Sequence, residues 1–249
     1  MKIVAIIQAR MASTRLPGKV LAQVSGVPLI EILLRRLKKV EEIDLIVVAT
    51  TINSADDILV KWLYENNYLY FRGSENDVLD RFLQAAKKYE ADIIIRVTAD
   101  DPLKDPEIIQ KAINIFKNIP NIDYVSNTIE PTYPEGLDIE IFNVKALIRA
   151  EKESVLNSDR EHVTSYIWKN PNSFRTFNFT ADIDRSNLRL TVDKLNDLTF
   201  IRKLLEISNN DFLINYKNII EILDKNTYLS KINQGTARNE GYLNSLKKE

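Results

Sequence analysis

The sequence predicts an α/β protein built on a Rossmann-like, doubly wound and mostly parallel sheet with a small α+β insertion. Up to about residue 118, short apolar runs typical of buried strands alternate with stretches whose apolar residues recur at helical spacing. Such alternation implies parallel strands joined by right-handed helical crossovers. From residue 123 the strand-like pieces become shorter and the alternation ends, which indicates the insertion.

The first part of the chain supplies four strands and four helices. Asp105 followed by Pro106 is typical of a capped helix start, and Asn76 or Asp77 can cap the helix before it. The G-x-G-x-x-G fingerprint of dinucleotide-binding sheets is absent. The predicted strands cover residues 2–7, 44–49, 68–71 and 92–98, and the predicted helices cover residues 27–40, 55–66, 78–89 and 106–116.

The second part predicts shorter elements. β-like pieces at 124–126, 139–142 and 174–179 surround helices at 144–152 and 161–169, and a buried strand at 188–192 precedes a helix at 198–207. Roughly the last forty residues look helical but suggest no chemistry. Because the chain has no repeats and no low-complexity linker, we expect one domain, 1–249, made of a nucleotide-binding half (1–122), an insertion (123–187) and a return strand with C-terminal helices (188–249).

The composition excludes several classes of function. The formal net charge of −1 argues against a nucleic-acid partner held by bulk electrostatics. The chain has no cysteine, which removes disulfides, thiolate chemistry and cysteine metal sites. It shows neither a leader-like start nor an apolar run approaching about 18 residues, the length of a membrane span. We therefore expect a soluble, cytoplasmic protein with no membrane partner.

The most informative stretch is the basic loop, residues 8–19, which follows the first predicted strand. It carries three cations, Arg10, Arg15 and Lys19, without the spacing of a Walker A motif. Clustered cations repel one another unless an anion neutralises them, and ligands of open α/β sheets bind at the carboxyl ends of strands. A solvated basic loop is the alternative, but the position after the first strand favours a polyphosphate site.

Carboxylates follow two other predicted strands. Asp100 and Asp101 close the strand at 92–98, and Asp193 follows the strand at 188–192. Mg²⁺ prefers oxygen ligands and is usually held by one or two carboxylates together with substrate phosphates. If these strands are near neighbours, Asp100 and Asp193 can hold one cation against phosphates gathered by the basic loop. Helix capping or turn formation is the alternative for each aspartate taken alone.

These residues also carry a family resemblance. The string QARMASTRLPGKVL, residues 8–21, resembles the signature loop of the cytidylyltransferase family, which includes CMP-Kdo synthetase and the spore-coat polysaccharide biosynthesis protein SpsF. The SpsF branch is the more similar, and the resemblance continues to about residue 207. It implies a nucleotide-diphospho-sugar transferase-like fold, CTP as a substrate, Mg²⁺ as the cofactor and a homodimer.

The resemblance also implies roles for particular residues. Arg15, Lys19 and Asp100 would carry catalysis, and Asp100 and Asp193 match the metal-binding aspartates of the family. The implied nucleotide-binding residues are Gln8, Ala9, Arg10, Ser13, Arg15, Lys19, Gly73, Ser74, Asp77, Arg81 and Thr98.

Two features leave alternatives open. The block at 72–81 resembles the family segment that closes over base and ribose, but a capped helix start with an ion pair between Asp77 and Arg81 explains it as well. Ala99 and Asp101 depart from the SpsF pattern, in which we expect a glycine and a small residue or cysteine. An extra carboxylate beside the metal site leaves the number of metal ions open.

The acceptor side is implied by the segment 133–140 and by the block 158–162 around the single histidine. The alternation of Asp138 and Glu140 with apolar residues is also what a half-buried strand produces. A lone histidine is more often structural than catalytic. The implied acceptor-binding residues are Asp101, Tyr133, Glu135, Gly136, Asp138, Glu140, Arg160 and His162.

The leading hypothesis is a Mg²⁺-dependent cytidylyltransferase. It would transfer CMP from CTP to a small anionic acceptor, either a sugar acid or a phosphorylated or phosphonate compound, and release pyrophosphate in surface-glycan or related biosynthesis. One alternative is a guanylyl- or uridylyltransferase that acts on a sugar 1-phosphate, because the base pocket depends on backbone contacts that the sequence does not display. The other is a catalytically silent nucleotide-binding subunit, which we expect to lack at least one of Arg15, Lys19, Asp100 and Asp193.

Overall fold

The computed structural model describes residues 1–247 and 249, and its main sheet has seven strands. The strands are β1 (Ile3–Gln8), β2 (Gln23–Val24), β3 (Val27–Pro28), β4 (Leu45–Thr51), β5 (Leu69–Gly73), β6 (Ile93–Thr98), β7 (Tyr124–Ser126), β8 (Glu140–Asn143) and β9 (Thr176–Asn178). The helices are α1 (Leu29–Leu37), α2 (Asp57–Glu65), α3 (Val78–Lys88), α4 (Pro106–Asn118), α5 (Val144–Glu153), α6 (Asn157–His162), α7 (Ser165–Lys169), α8 (Leu195–Ile207), α9 (Tyr216–Lys225) and α10 (Glu240–Leu246).

The main sheet has the order β5-β4-β1-β6-β8-β7-β9, and its first four strands are parallel. This confirms the predicted α/β class. β4 and β5 lie on one side of β1 and β6 lies on the other, so the winding reverses between β1 and β6. Ligands of doubly wound sheets bind beyond the carboxyl ends of the strands at such a reversal. The basic loop leaves β1 there, and Asp100 follows β6 there.

The central strands are apolar throughout because both of their faces are covered. Ile3, Ala5 and Ile7 of β1 belong to one buried cluster, and Val4 and Ile6 belong to another on the opposite face. Side chains of a strand alternate between the two faces, so two cores produce the continuous apolar run seen in the sequence.

The segment predicted as an insertion continues the main sheet. β8 pairs antiparallel with β6, with Arg96 opposite Glu140. β7 then pairs antiparallel with β8, and β9 pairs parallel with β7. The helices α5 and α6 contact α3. The division of a single domain at residues 122 and 187 stays a prediction.

Both predicted helix caps are present. The Asp77 side chain accepts a hydrogen bond from the Asp80 backbone at 2.9 Å and so begins α3. Asp105 accepts from the backbone of Glu107 at 2.8 Å, and Pro106 opens α4. Carboxylates at these positions satisfy backbone N–H groups that have no partner within the helix.

The helix predicted over 161–169 is wrong as one element, because the chain folds as α6 and α7 with a break at Val163. Val163 has a φ of 63°, which no α-helix accepts. The break places His162 at the end of α6 and Thr164 just before α7.

The return strand predicted over 188–192 is also wrong. The segment is extended and Leu190 and Val192 are fully buried, but its single bridge joins Arg189 to Glu135 outside the main sheet. Instead, the Val192 backbone N–H donates to the Asp100 carbonyl at 2.8 Å. The apolar run therefore predicted burial correctly, but the segment lacks the regular backbone pairing of a strand.

The expectation that roughly the last forty residues are helical is met by α9 and α10, whereas residues 226–239 between them form turns and irregular structure. α10 contacts α6, so the end of the described chain returns to the sheet's functional edge. Within residues 1–247 and 249, no helix is both long enough and apolar enough to cross a membrane.

Candidate active site

The basic loop folds back on itself between β1 and a short 3₁₀ helix, Lys19–Leu21. The Gly18 backbone N–H donates to the Met11 carbonyl at 2.9 Å. Gly18 has a φ of 71°, a conformation that glycine adopts readily and that most other residues resist. The turn at Gly18 thus directs Lys19 back toward the carboxyl ends of the central strands.

Asp56 anchors the start of the basic loop. It is 1% exposed, and its Oδ1 accepts from the Met11 backbone N–H at 2.6 Å. Its other oxygen accepts from the hydroxyls of Thr50 and Thr51 at 2.9 and 2.5 Å. Burial opposes ionisation of this carboxyl, but these hydrogen bonds outweigh burial and keep the pKa of Asp56 below its ordinary value.

Lys19 joins the two aspartates that the sequence singled out. Its Nζ lies 2.8 Å from Asp100 Oδ2 and 2.8 Å from Asp193 Oδ1, and the residue is 8% exposed. Burial alone would lower the pKa of Lys19, but the two carboxylates outweigh burial and raise it. The Lys19 ammonium is therefore held in its charged form between two anions.

Asp193 is the centre of this charge network. Besides Lys19, it accepts from Arg15 Nη2 at 2.6 Å and from Arg189 Nη2 at 2.6 Å. Its backbone N–H donates to the buried Asp197 at 2.9 Å. The same three cations also pair with Glu240, Asp100 and Glu135, so an added anion must displace one of these carboxylates or bring a cation with it.

Asp100 is partly exposed beside Lys19. Burial opposes its ionisation, but the adjacent Lys19 ammonium is stronger and holds the pKa of Asp100 below its ordinary value. Asp193 lies 93 positions after Asp100 in the sequence. It reaches the same cluster because the preceding residue, Val192, donates a hydrogen bond to the Asp100 carbonyl. Asp100 and Asp193 therefore meet without belonging to neighbouring strands.

Two pockets meet at this cluster. The loop pocket, of about 170 Å³, is lined by Gln8, Ala9, Arg10, Ser13, Thr14, Arg15, Lys19, Val20, Thr98, Ala99, Asp100 and Asp193. The wide pocket, of about 480 Å³, lies beyond the carboxyl end of β6 and receives walls from the insertion and from α10. The two pockets share Arg15, Thr98, Asp100 and Asp193. A group bound in one pocket would therefore lie against a group bound in the other.

The structure brings together most of the residues implied as nucleotide-binding. Seven of them line the loop pocket: Gln8, Ala9, Arg10, Ser13, Arg15, Lys19 and Thr98. The Gln8 Oε1 atom is buried and has no hydrogen-bond partner within residues 1–247 and 249. A buried polar atom without a partner is costly, so a ligand that donates a hydrogen bond would stabilise it.

The block at 72–81 does not line either pocket. Arg81 is buried, and its Nη1 donates to the Ser74 carbonyl. Burial, followed by repulsion from Arg10, lowers the pKa of Arg81 to about 10. A side chain at Gly73 would place its Cβ 2.9 Å from Arg81 Cγ, so glycine makes room for this arginine.

Asp77 pairs with Arg160 rather than with Arg81. Arg160 Nε lies 2.9 Å from Asp77 Oδ2, and its Nη1 donates to the Glu151 carbonyl at 2.7 Å. The alternative of a capped helix start is therefore present, but its ion pair connects α3 to α6. Arg160 lies outside the wide pocket's lining residues, so the structure does not group it with the acceptor-side set.

Five residues of the implied acceptor set line the wide pocket, namely Asp101, Glu135, Asp138, Glu140 and His162. Tyr133 lies outside and packs against Phe179 and Tyr216. Gly136 also lies outside. A Cβ there would approach the Leu190 carbonyl carbon to 2.7 Å, so glycine allows the segment that carries Asp193 to dock.

The unexpected Asp101 is held inside the protein. It is 5% exposed, its Oδ2 lies 2.8 Å from Lys104 Nζ, and it accepts from the Thr98 hydroxyl at 2.7 Å. Burial raises the pKa of Asp101, although Lys104 partly offsets this effect. Lys104 also donates to the Asp138 carbonyl, so the pair connects the end of β6 to the acceptor-side segment.

His162 contacts the C-terminal helix. Its Nε2 lies 3.0 Å from Ser245 Oγ, and its ring packs edge-to-face against Tyr242 at 5.1 Å. Burial first, and then the nearby Arg96, lower the pKa of His162 to about 4. The imidazole is therefore neutral at physiological pH.

The contribution of α10 and of the residues just before it was not predicted from the sequence. Glu240 Oε2 lies 2.5 Å from Arg15 Nη1, and Arg238 pairs with Asp138. Asn239, Gly241 and Tyr242 line the wide pocket. Nothing in this Asn- and Lys-rich region marks it as part of a site, because its role arises only from its packing against α6.

Arg96 was missed as well, although the sequence holds a signal for it. It is the charged residue in a strand that is otherwise apolar up to Thr98, and it lines the wide pocket. Charged side chains are almost never buried without a partner. A cation near the carboxyl end of a buried strand therefore indicates a functional position.

The donor set of the cluster fits Mg²⁺. Asp100 and Asp193 offer carboxylate oxygens that lie on either side of one Lys19 ammonium. In the part of the chain that the structure describes, no group of three or more His, Cys, Asp or Glu residues is arranged to hold a metal. Two carboxylates are what Mg²⁺ needs when substrate phosphates and water complete its shell.

The sequence matches known proteins over nearly its whole length. The profile of the cytidylyltransferase family matches residues 4–237. An uncharacterised protein of Methanocaldococcus jannaschii is 42% identical over 238 residues, 94% of this chain and 95% of that protein. The spore coat polysaccharide biosynthesis protein SpsF of Bacillus subtilis is 34% identical over 233 residues, 90% of this chain and 95% of that protein.

The fold is also similar to that of a known cytidylyltransferase. The structure of a cytidylyltransferase from Leptospira borgpetersenii superposes with a TM-score of 0.89 at 34% identity, covering 95% of this chain and 99% of that one. The family profile spans the basic loop, both aspartates and the sheet that positions them. The chain belongs to the cytidylyltransferase family and is a nucleotidyltransferase.

Proposed function

We propose that this enzyme transfers CMP from CTP to a small anionic acceptor and releases pyrophosphate. The observation that carries the proposal is the Lys19 ammonium, held between Asp100 and Asp193 where the loop pocket and the wide pocket meet. Phosphoryl-type transfer depends on positioning and on charge stabilisation more than on covalent participation by the protein. A donor in the loop pocket and an acceptor in the wide pocket would react across this shared wall.

The basic loop would bind the triphosphate. Arg15 and Lys19 now donate to carboxylates, and each can donate to phosphate oxygens with similar geometry. Arg10 is exposed on the same pocket and adds a third cation. These groups would bind the donor and stabilise the charge that develops on the departing pyrophosphate.

Asp100 and Asp193 would hold Mg²⁺. When bound, the ion supplies Lewis acidity at the α-phosphate and orients the phosphates. Lys19, Arg15 and Arg189 donate to these carboxylates, so this part of the chain holds them in place before the donor arrives.

The acceptor oxygen would attack the α-phosphorus in line with the leaving pyrophosphate. Resemblance to CMP-Kdo synthetase supports a 3-deoxy-2-keto sugar acid, and similarity to SpsF supports a role in surface-glycan biosynthesis. A phosphorylated or phosphonate acceptor is the other member of the proposed class. The homodimer implied by the family resemblance and the cytoplasmic location expected from the sequence belong to this proposal as well.

The first test is pyrophosphate release from CTP and Mg²⁺ with a panel of acceptors. Kdo, a sialic-acid-like nonulosonate, sugar phosphates and simple phosphonates are supplied in parallel, and GTP, UTP and ATP replace CTP in matched reactions. We expect release with CTP and an acceptor of the acidic class. Release only with GTP or UTP and a sugar 1-phosphate would overturn the choice of donor.

Lys19→Ala and Asp100→Asn test the residues that carry the proposal. Each removes one member of the Lys19 bridge, and we expect pyrophosphate release to fall by at least about a hundredfold, since oxyanion-type stabilisation contributes about that much. Glu221→Gln, an exposed carboxylate on α9, is the control and should leave turnover unchanged. Circular dichroism confirms folding, and wild-type turnover in a folded Lys19→Ala variant would refute the assignment.

A further inference from the structure

Arg96 has an unusual place in the wall of the wide pocket. It lies on β6 directly opposite Glu140 of β8, and its Nη1 donates to Glu140 Oε2. Its side chain is 14% exposed, and the exposed part belongs to the pocket. Residues opposite each other in an antiparallel pair share one face of the sheet, so the pairing fixes the direction of the guanidinium.

Glu140 is buried, and both of its carboxylate oxygens already accept hydrogen bonds from the protein. Oε2 accepts from Arg96, and Oε1 accepts from the hydroxyls of Tyr124, at 2.7 Å, and Thr164. Burial opposes its ionisation, but Arg96 and these donors outweigh burial and keep the pKa of Glu140 below its ordinary value. The carboxylate is thus an ionised support for Arg96 rather than a contact for the acceptor.

The guanidinium of Arg96 is only partly used. Its Nε is buried and has no hydrogen-bond partner in the described chain, residues 1–247 and 249. A guanidinium presents five N–H donors in a planar fork that matches a carboxylate or phosphate. A buried N–H without an acceptor is costly. Within residues 1–247 and 249 the guanidinium hydrogen-bonds through Nη1, which leaves Nη2 as a donor for a ligand in the wide pocket.

The charges around Arg96 favour a monoanion. Within the same wall, Lys104 is paired with Asp101, and Asp138 is paired with Arg238. Glu135 is paired with Arg189. Because these cations are already paired, and Arg96 shares its charge with Glu140, the wall has no surplus of positive charge for a dianion. A phosphate dianion would bring a second charge close to several carboxylates.

We propose that Arg96 binds the carboxylate of the acceptor and thereby selects sugar acids over sugar phosphates. Glu140 is the positioning residue that holds the guanidinium in place. Trp168, Tyr242 and Thr128 line the same pocket and suit the apolar face and the hydroxyls of a sugar ring. This inference rests on the proposed function, since it assumes that the wide pocket receives the acceptor.

The test measures binding rather than turnover. The probes are Kdo, a sugar acid, and its carboxamide, in which the same ring lacks the negative charge. Their affinities are compared by calorimetry with CDP and Mg²⁺ present, so that the loop pocket is filled while no transfer occurs. We expect the wild-type enzyme to bind the acid at least about tenfold more tightly, since a hydrogen bond between charged groups contributes about that much. Equal affinity for the two probes, or no binding of the acid, overturns the proposal.

The double variant Arg96→Met with Glu140→Gln removes both charges, so no unpaired charge remains buried. The amide oxygen introduced by Glu140→Gln can still accept from Tyr124 and Thr164, which favours correct folding. We expect this variant to lose the preference for the acid and to keep the wild-type KM for CTP. A preference that persists in the folded double variant contradicts the role of Arg96.

Glu140→Gln alone tests positioning. The guanidinium remains but loses its charged support, so we expect a raised KM for the acid with an unchanged kcat and an unchanged KM for CTP. A merely structural role would change all these values together, or none of them. If the enzyme released no pyrophosphate with any donor, the proposed function would fail, while the acid preference measured by calorimetry would still decide the role of Arg96.

Discussion

At the scale of single residues, the site is governed by pairs of opposite charge that determine each other's protonation. Lys19 and Asp100 each favour the charged form of the other, and both resist the effect of burial. His162 behaves differently, because burial and Arg96 both disfavour its charged form. It is the only histidine in the chain, so it offers a clean probe of the wide pocket.

We predict that His162 titrates with a pKa of about 4, well below its ordinary 6.5. Between these two values the unfolded chain binds a proton that the folded protein does not, so stability falls as the pH falls from about 6.5 to about 4. The loss attributable to this residue is at most on the order of 3 kcal/mol. Burial is the main cause of the lowered pKa; Arg96 and Lys169 lower it further, and Glu161 and Glu140 partly oppose them.

NMR gives the direct measurement, because one histidine produces one imidazole titration curve. Urea denaturation at pH 7 and at pH 4.5 should show a smaller loss of stability for His162→Gln than for the wild-type protein. A midpoint near 6.5 in the folded protein would contradict the prediction.

The structure brings predicted site residues together where a motif and a predicted strand end coincide in the sequence. Lys19, Asp100 and Asp193 were singled out because cations and carboxylates followed apolar runs, and the structure joins them. Arg96 was overlooked because helices and strands were predicted from the spacing of apolar residues, and this spacing gives no information about a charged residue. Whether a charged residue within such a run is paired or available depends on the neighbouring strand, which the sequence does not reveal.

At the scale of elements, the parallel half of the sheet followed from periodicity alone, because strands buried on both faces leave a clear apolar run. The elements after residue 123 were harder to predict. β8 pairs with β6 across more than 40 residues of chain, and no local pattern encodes that register. The break at Val163 was invisible for a related reason, since valine is among the residues least suited to a positive φ.

The positive φ at Val163 predicts that glycine is more stable there than alanine, the reverse of the usual order in a helix. Alanine normally stabilises a helix relative to glycine by about 0.5–1 kcal/mol. At a φ of 63° alanine is strained and glycine is not, so we expect Val163→Gly to be more stable than Val163→Ala by about 1 kcal/mol. Both variants lose the two buried γ-methyl groups of valine, and the glycine variant also loses Cβ.

Urea denaturation of the two variants measures the difference. The matched pair Ile167→Ala and Ile167→Gly, at a buried position within α7, should show the ordinary order with alanine more stable. If Val163→Ala proved the more stable of its pair, the strained conformation would be refuted. The strained residue, Val163, lies between His162 and Thr164, and both of these residues line the wide pocket.

At the scale of the whole molecule, the site joins regions that are distant in the sequence. Arg15 and Glu240 are separated by 225 positions and lie in contact. The residues that the sequence assigned to the donor side lie in its first half, and most residues that line the loop pocket come from there. The sequence did not indicate that the end of the chain belongs to the site, because residues 236–249 carry no motif. Tyr242 lines the wide pocket because α10 packs against α6.

We predict that Glu240→Gln lowers the KM for CTP and raises the KM for the acceptor. Glu240 occupies one face of the Arg15 guanidinium that we assign to the triphosphate, so its removal frees a phosphate-binding group. The same change releases one end of α10, which lines the wide pocket. Because the pair is partly exposed, each shift should be less than about fivefold.

Steady-state kinetics with each substrate varied in turn provides the measurement. Glu221→Gln again serves as the control for the loss of one negative charge. Parallel shifts of the two KM values in the same direction would show that Glu240 does not connect the two pockets.

The contact between Arg15 and Glu240 has a thermodynamic consequence. Arg15 cannot donate fully to a nucleotide while it holds α10, so a nucleotide that draws Arg15 away changes the free energy of the acceptor's pocket. Linkage then requires reciprocity: whatever factor CTP imposes on the affinity for the acceptor, the acceptor imposes on the affinity for CTP. The two proposed substrates contact the same residues only at the shared wall. Each would thus change the affinity for the other through α10.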